Sequence, residues 1–149
     1  MSSERVRART LERVEDTEEL GRDLAAQLTA GDLVILDGPL GAGKTALSRG
    51  IAAGLGVQGR VSSPTFVIAR EHAPGPDGGP GMIHVDAYRL GGLGELDALD
   101  LDSDLEDSVV VVEWGEGVAE RLAERYLHVR LTRLAHSDVR TAEWDWRTA

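Results

Sequence analysis

The residues with most chemistry to offer lie in one stretch, Leu33 to Thr45, which reads LVILDGPLGAGKT. It holds Gly38-x-x-x-x-Gly43-Lys44-Thr45, the spacing of a phosphate-binding loop. Gly38, Gly41 and Gly43 can take positive φ angles, and without a Cβ they let backbone N–H groups approach phosphate oxygens. The same groups open a helix, whose positive end favours an anion. Lys44 can reach the β- and γ-phosphates, and the Thr45 hydroxyl is placed to ligate Mg²⁺. Lys44 is also the only lysine of the chain, against fifteen arginines. Here a compact ammonium suits the phosphates better than a planar fork. Lys44→Ala is expected to leave folding nearly intact, because the side chain faces ligand.

A phosphate-loop ATPase needs a carboxylate at the end of a neighbouring strand, to hold metal or orient water. Two acids qualify. Glu113 closes the valine run 109–112, and Asp86 closes Met82 to Val85. Which of them meets the metal directly stays open. His84, His128 and His136 show no metal-ligand spacing and read as structural or solvent-facing. The acids between Asp97 and Asp107 form a solvated face or a docking surface for a basic partner.

These groups need strands and helices to hold them. Leu33 to Leu36 is an apolar run of strand length, and Ala46 to Leu55 is an amphipathic helix stopped by Gly54 and Gly56. Upstream, Arg5 to Leu11 alternates like an edge strand. Asp16-Thr17-Glu18-Glu19 then reads as an N-cap with its capping-box Glu. Leu20, Leu24 and Leu28 share the face of that helix, which Gly31 ends. Further strands are expected at 66–69, 82–86, 109–112, 126–132 and 139–147, with one or two short helices within 93–105 and a helix at 118–124. The four consecutive valines mark a central parallel strand. APGPDGGPG (73–81) is a flexible loop, too short to divide domains. The alternation implies an α/β fold: a single P-loop domain over 1–149, three-layer α/β/α, with a mixed, centrally parallel sheet.

Composition narrows the setting. With 149 residues, 42% hydrophobic and 28% charged, the chain has the makeup of a soluble globular protein. It has no cysteine, which excludes disulfides and thiolate sites. No signal-like or membrane-length apolar run is present, so a cytoplasmic protein is expected. A formal charge of −10 argues against holding nucleic acid unaided.

Three further motifs follow the glycine loop: SSPTF at 62–66, HVDAYRL at 84–90 and VVEWGEG at 111–117. In this order they resemble the TsaE (YjeE) family of bacterial tRNA threonylcarbamoyladenosine biosynthesis ATPases, from about Thr17 to Arg140. The resemblance implies a small cytoplasmic ATPase using ATP and Mg²⁺. It would support t⁶A formation beside the anticodon by acting on a TsaD–TsaB heterodimer, meeting tRNA only indirectly and no membrane. It implies that Gly41, Ala42, Gly43, Lys44 and Thr45 grip the phosphates, and that Thr45 and Glu113 hold Mg²⁺. Asp86 would orient water or the metal's surroundings, and Thr65 would face the γ-phosphate. Thr17 and Arg140 match positions near the nucleoside and phosphate tail. Trp114 is either a neighbour of the nucleotide or a structural indole. Pro39 stands where family members commonly carry an acid, so a water-positioning role there is in doubt. The C-terminal Glu-Trp-Asp-Trp (143–146) has no family role, and reads equally as partner contact or strand packing.

Two other classes compete with the accessory ATPase. A small-molecule kinase would need an acceptor pocket and an Arg-rich lid, and no lid segment is evident beyond Arg89. A nucleotide-binding interaction module would bind without turnover. A GTPase is disfavoured, since a chain without asparagine cannot carry the usual Asn-Lys-x-Asp guanine reader.

Overall fold

The computed structural model describes residues 7–39, 42–57, 69–75, 79–86, 108–113, 125–134, 137 and 139–148. They form seven strands and two helices: β1 (Arg7–Leu11), α1 (Val14–Ala25), β2 (Leu33–Asp37), α2 (Lys44–Leu55), β3 (Ala69–His72), β4 (Gly81–Asp86), β5 (Ser108–Glu113), β6 (Arg125–Arg133) and β7 (Arg140–Thr148). The strands make one sheet in the order β1-β7-β6-β2-β5-β4-β3. The central four, β6, β2, β5 and β4, are mutually parallel; β3 and β7 pair antiparallel with the two ends of this group, and β1 pairs antiparallel with β7. This is the expected α/β fold with a mixed, centrally parallel sheet.

Burial explains the residue choice. Leu33 to Leu36 and Val109 to Val112 are fully buried along their whole lengths, so these strands can be apolar on both faces. Beta7 alternates instead: Ala142, Trp144 and Trp146 face the core, and Glu143 is exposed. One sheet face carries Val34, Leu36, Met82, Val109, Val111, Leu127, Val129 and Leu131, which pack with Leu20, Leu24, Leu47 and Ile51 of the helices. The helices expected within 93–105 and at 118–124, which would form the other outer layer, lie outside the described residues.

Several boundaries differ from the sequence expectation. Asp16 is not the N-cap of α1. Helix α1 starts at Val14, and Asp16 sits at its third position, where its carboxylate accepts from the backbone N–H groups of Glu12 and Arg13 at 3.1 and 3.0 Å. The acid still closes the helix start, from inside it. The helix also ends at Ala25, short of Gly31; Leu28 stays buried in the turns that follow. Helix α2 begins at Lys44, two residues earlier than its amphipathic run; it runs through Gly54, which does not stop it, and ends as expected on Gly56, whose φ is 74°. The expected strand 66–69 meets the described β3 only at Ala69, and 73–80 connects the β3–β4 hairpin.

Alpha1 and α2 approach through glycine. A Cβ on Gly21 would lie 2.5 Å from the Leu47 carbonyl oxygen, and one on Gly50 would lie 2.0 Å from that of Glu18. At Gly54 the obstacle is the Ala25 Cβ, at 2.6 Å. Arg49 and Glu18 bridge the same contact with an Nε–Oε2 distance of 3.2 Å.

Candidate functional site

The glycine loop begins where β2 stops. Gly38 has φ of 149° and backs onto β6, where a Cβ would meet the Leu131 carbonyl oxygen at 2.4 Å. Gly43 caps α2 with φ of 106°, a left-handed conformation that side chains resist. Its N-terminal turn is therefore aimed outward from the sheet's C-terminal edge, where open α/β sheets place ligands.

Lys44 is only 5% exposed. Its Nζ donates to the carbonyl oxygen of Gly38 and, at 3.1 Å, to that of Pro39. The ammonium thus lies inside the curl of its own loop, which concentrates positive charge at a helix N-terminus. This amends the expected Lys44 substitution, because the side chain also ties the loop together. Thr45 follows in the first turn of α2, half-buried.

The two acids sit where strand ends predict them. In the register of the parallel strands, Leu36 pairs with Glu113 and Glu113 pairs with Asp86. Glu113 therefore stands on the strand next to β2, level with the residue two before Gly38. Its side chain is buried, 6% exposed. Asp86 is the adjacent backbone position on β4.

Glu113 has a neighbour that spacing did not reveal. His84 Nε2 hydrogen-bonds Glu113 Oε2, and lies 3.4 Å from Ser48 Oγ. Ser48 Oγ in turn donates to the Lys44 carbonyl oxygen at 3.0 Å. His84 is completely buried and so structural in placement, yet it touches the candidate metal carboxylate. The available signal was strand parity: His84 stands two residues before Asp86, and Ser48 one turn after Lys44.

Among the described residues no group of three or more His, Asp or Glu side chains could cage a metal. A phosphate-bound Mg²⁺ does not need such a cage, since it is held by one or two protein groups plus phosphate oxygens and waters. A buried carboxylate at a strand end beside a threonine-bearing helix start fits that donor set.

Thr17 and Arg140, far apart in sequence, come together beside the loop. With Glu12, Arg13, Val14 and Gly43 they line a cavity of ≈ 280 Å³. A Cβ on Gly43 would lie 3.6 Å from Thr17 Cγ2, so Thr17 is against the loop itself. Gly41, Thr65 and Trp114 lie outside the described residues, as does the SSPTF motif.

The opposite face of β2 and β6 carries a separate polar group. Asp37 Oδ2 is 3.9 Å from His128 Nε2 and 3.6 Å from an Arg130 nitrogen. His128 is thereby buried structure, as expected. At the C-terminus, Trp144 and Trp146 pack into the core, so the 143–146 segment is strand packing. Trp146 Nε1 donates to Gln27 Oε1 at 2.8 Å, and the Arg125 guanidinium stacks 4.0 Å from the Trp146 ring centroid. No helix among the described residues is long and apolar enough to cross a membrane.

Comparison with known proteins agrees with this architecture. The family model described as "Threonylcarbamoyl adenosine biosynthesis protein TsaE" matches residues 11–142. The tRNA threonylcarbamoyladenosine biosynthesis protein TsaE of Mycobacterium tuberculosis is 61% identical over 143 residues, covering 92% of this chain and 85% of that protein. Its namesake from Bacillus subtilis is 37% identical, over 80% of this chain and 73% of that one. The crystal structure of Bacillus subtilis YdiB superposes with a TM-score of 0.75 at 28% identity, covering 97% of this chain and 87% of that chain. The chain belongs to the TsaE family of tRNA threonylcarbamoyladenosine biosynthesis proteins.

Proposed function

We propose that this chain is a Mg²⁺-dependent ATPase that serves t⁶A formation at tRNA position 37 by acting on a TsaD–TsaB complex. The observation that carries the proposal is the Leu36–Glu113 register, which sets a buried carboxylate beside the loop that Lys44 fills. Membership of the TsaE family supplies the tRNA setting.

In this reading the backbone N–H groups of Gly41 to Thr45, Ala42 among them, would cradle the phosphates, with Gly38 letting the loop leave β2 close against β6. Lys44 exchanges the Gly38 and Pro39 carbonyls for phosphate oxygens and neutralises charge that develops during transfer. Thr45 and Glu113 would hold Mg²⁺, which would supply a Lewis acid for the charge that develops on the transferred phosphoryl group. Asp86, paired in register with Glu113, would orient the attacking water, and the family resemblance would give Thr65 the γ-phosphate. Thr17 and Arg140 border the cavity that would take the nucleoside and phosphate tail. Among the described residues none is placed as a general base or an arginine finger, so turnover alone would be slow and the partner would complete the site. A chain of charge −10 would reach tRNA through that partner, in the cytoplasm.

Reconstitution tests the proposal. TsaD–TsaB with tRNA is assayed with and without this chain, scoring modified base against ATP consumed. Modification and phosphate release should both rise with the chain present. Phosphate release indifferent to TsaD–TsaB overturns the partner, and a phosphorylated metabolite in place of inorganic phosphate would make it a kinase.

A further inference from the structure

We propose that His84 is a positioning residue, whose Nε2–H fixes the Glu113 carboxylate in its metal-ligating orientation and ties it to the helix that carries Lys44 and Thr45. The inference rests on the metal–nucleotide reading above and adds to it a residue the glycine-loop motif does not contain.

The proton inventory assigns the tautomer. An ionised Glu113 carboxylate can only accept, and Ser48 spends its single hydroxyl proton on the Lys44 carbonyl. Both neighbours of Nε2 therefore want a donor there. Nδ1 meets no hydrogen-bond partner among the described residues, so a proton on it would be a buried orphan. A proton on Nε2 and none on Nδ1 satisfies the whole cluster.

The geometry gives that proton a purpose. Glu113 is buried on the last position of β5, where an ionised carboxylate needs a donor in place of water. With Oε2 held by His84, Oε1 is the oxygen left to meet a cation. The Nε2 atom also contacts Ser48, one turn along α2 from Lys44. One imidazole N–H thus links the strand that supplies the carboxylate to the helix that supplies the ammonium and the Thr45 hydroxyl. Fixing a ligand through its outer hydrogen bond typically changes metal affinity by about 10–100-fold.

The test compares nucleotide affinity in the presence of Mn²⁺, a paramagnetic stand-in for Mg²⁺, with affinity in EDTA. The variants are His84→Gln, whose amide nitrogen falls at the chain position of Nε2, and His84→Asn, whose donor falls short. His84→Asn should lower the Mn²⁺-dependent gain by about 10–100-fold, return the broad resonance of bound Mn²⁺ toward the narrow one of the solvated ion, and leave affinity in EDTA alone. His84→Gln should restore most of the gain. Equal behaviour of the two variants, whether both retain the gain or both lose it, overturns the inference. Long-range ¹H–¹⁵N spectra of the wild-type protein provide a reading that requires no variant to fold: an Nε2–H tautomer is expected, and an Nδ1–H tautomer overturns it. A wild-type protein whose nucleotide binding ignores Mn²⁺ brings down the metal–nucleotide reading as well, whereas a metal-responsive wild type with an indifferent His84→Asn brings down only this one.

Discussion

Gly50 of α2 backs directly onto Glu18 of α1, so closely that a Cβ would lie 2.0 Å from the Glu18 carbonyl oxygen. That distance is set by two backbones, and no rotamer change can relieve it. Gly50→Ala should therefore destabilise the fold, although alanine is the better helix former by about 1 kcal/mol. A net loss of about 1–3 kcal/mol is expected, or about 2–4 °C in Tm for each kcal/mol. The same helix pair sets Thr17 against Gly43, so nucleotide binding should weaken as well. Thermal unfolding with and without nucleotide checks both; an unchanged Tm would mean the helices can part at no cost.

Lys44→Ala separates two jobs of one ammonium. The substitution removes charge-assisted hydrogen bonds to two loop carbonyls, so a stability loss of about 1–3 kcal/mol is expected along with loss of nucleotide-dependent activity. Lys44→Arg should not rescue it, because a planar fork does not fit where a compact donor serves two nearby carbonyls. A fully active Lys44→Ala protein would refute the site.

The parts of this arrangement visible in the sequence are those fixed by local rules. Gly38 and Gly43 announce their backbone angles by being glycine, and the apolar runs ending at Asp37 and Glu113 announce strands buried on both faces. The Leu36–Glu113 neighbourhood follows once those strands are known to be parallel. What stayed hidden depends on tertiary crossing. Gly21, Gly50 and Gly54 look alike whether they break a helix or let two helices touch, and only the α1–α2 approach decides. His84 looked inert because its partners, Ser48 and Glu113, lie 36 and 29 residues away. An N-cap acid and a capping-box acid leave the same mark in a sequence, so Asp16 does not announce that Arg13, three residues earlier, is the N-cap.

His128 predicts a pH effect on stability. Burial holds its pKa below the usual 6.5, and Arg147 adds to this, against the opposing pull of Asp37 and Asp145. The folded ring therefore resists protonation, while the unfolded chain takes a proton near the ordinary value. Between the two pKa values the unfolded state binds more protons, so stability rises with pH and is lost as pH falls below about 6.5. His128→Gln should flatten this trend. Denaturant unfolding from about pH 7.5 to about pH 5.5 reads it, and identical slopes for wild type and variant would remove His128 as the cause.

Trp146 tests whether the C-terminal strand is structural. Trp146→Phe keeps a ring for Arg125 but deletes the donor to Gln27, so a loss of about 0.5–1.5 kcal/mol is expected. Gln27→Ala should produce a similar loss, and the double variant should cost less than the sum, since both delete one bond. Under the proposed function, activity with TsaD–TsaB should follow folded fraction alone. A variant that is fully folded yet inert toward the partner would move Trp146 to an interaction surface.

Glu113→Gln decides between the two acids. The amide keeps an oxygen to accept from His84 Nε2–H, and its volume matches the carboxylate, so the fold should hold. Its charge is gone, and with it the main protein attraction for a divalent ion in the proposed site. Nucleotide affinity should then lose most of its dependence on Mg²⁺ while affinity without metal stays near wild type. Calorimetry in Mg²⁺ and in EDTA measures the two separately. If the metal dependence survives, the ion is held from the next strand, and Asp86, paired in register with Glu113, becomes its ligand while Glu113 takes the water.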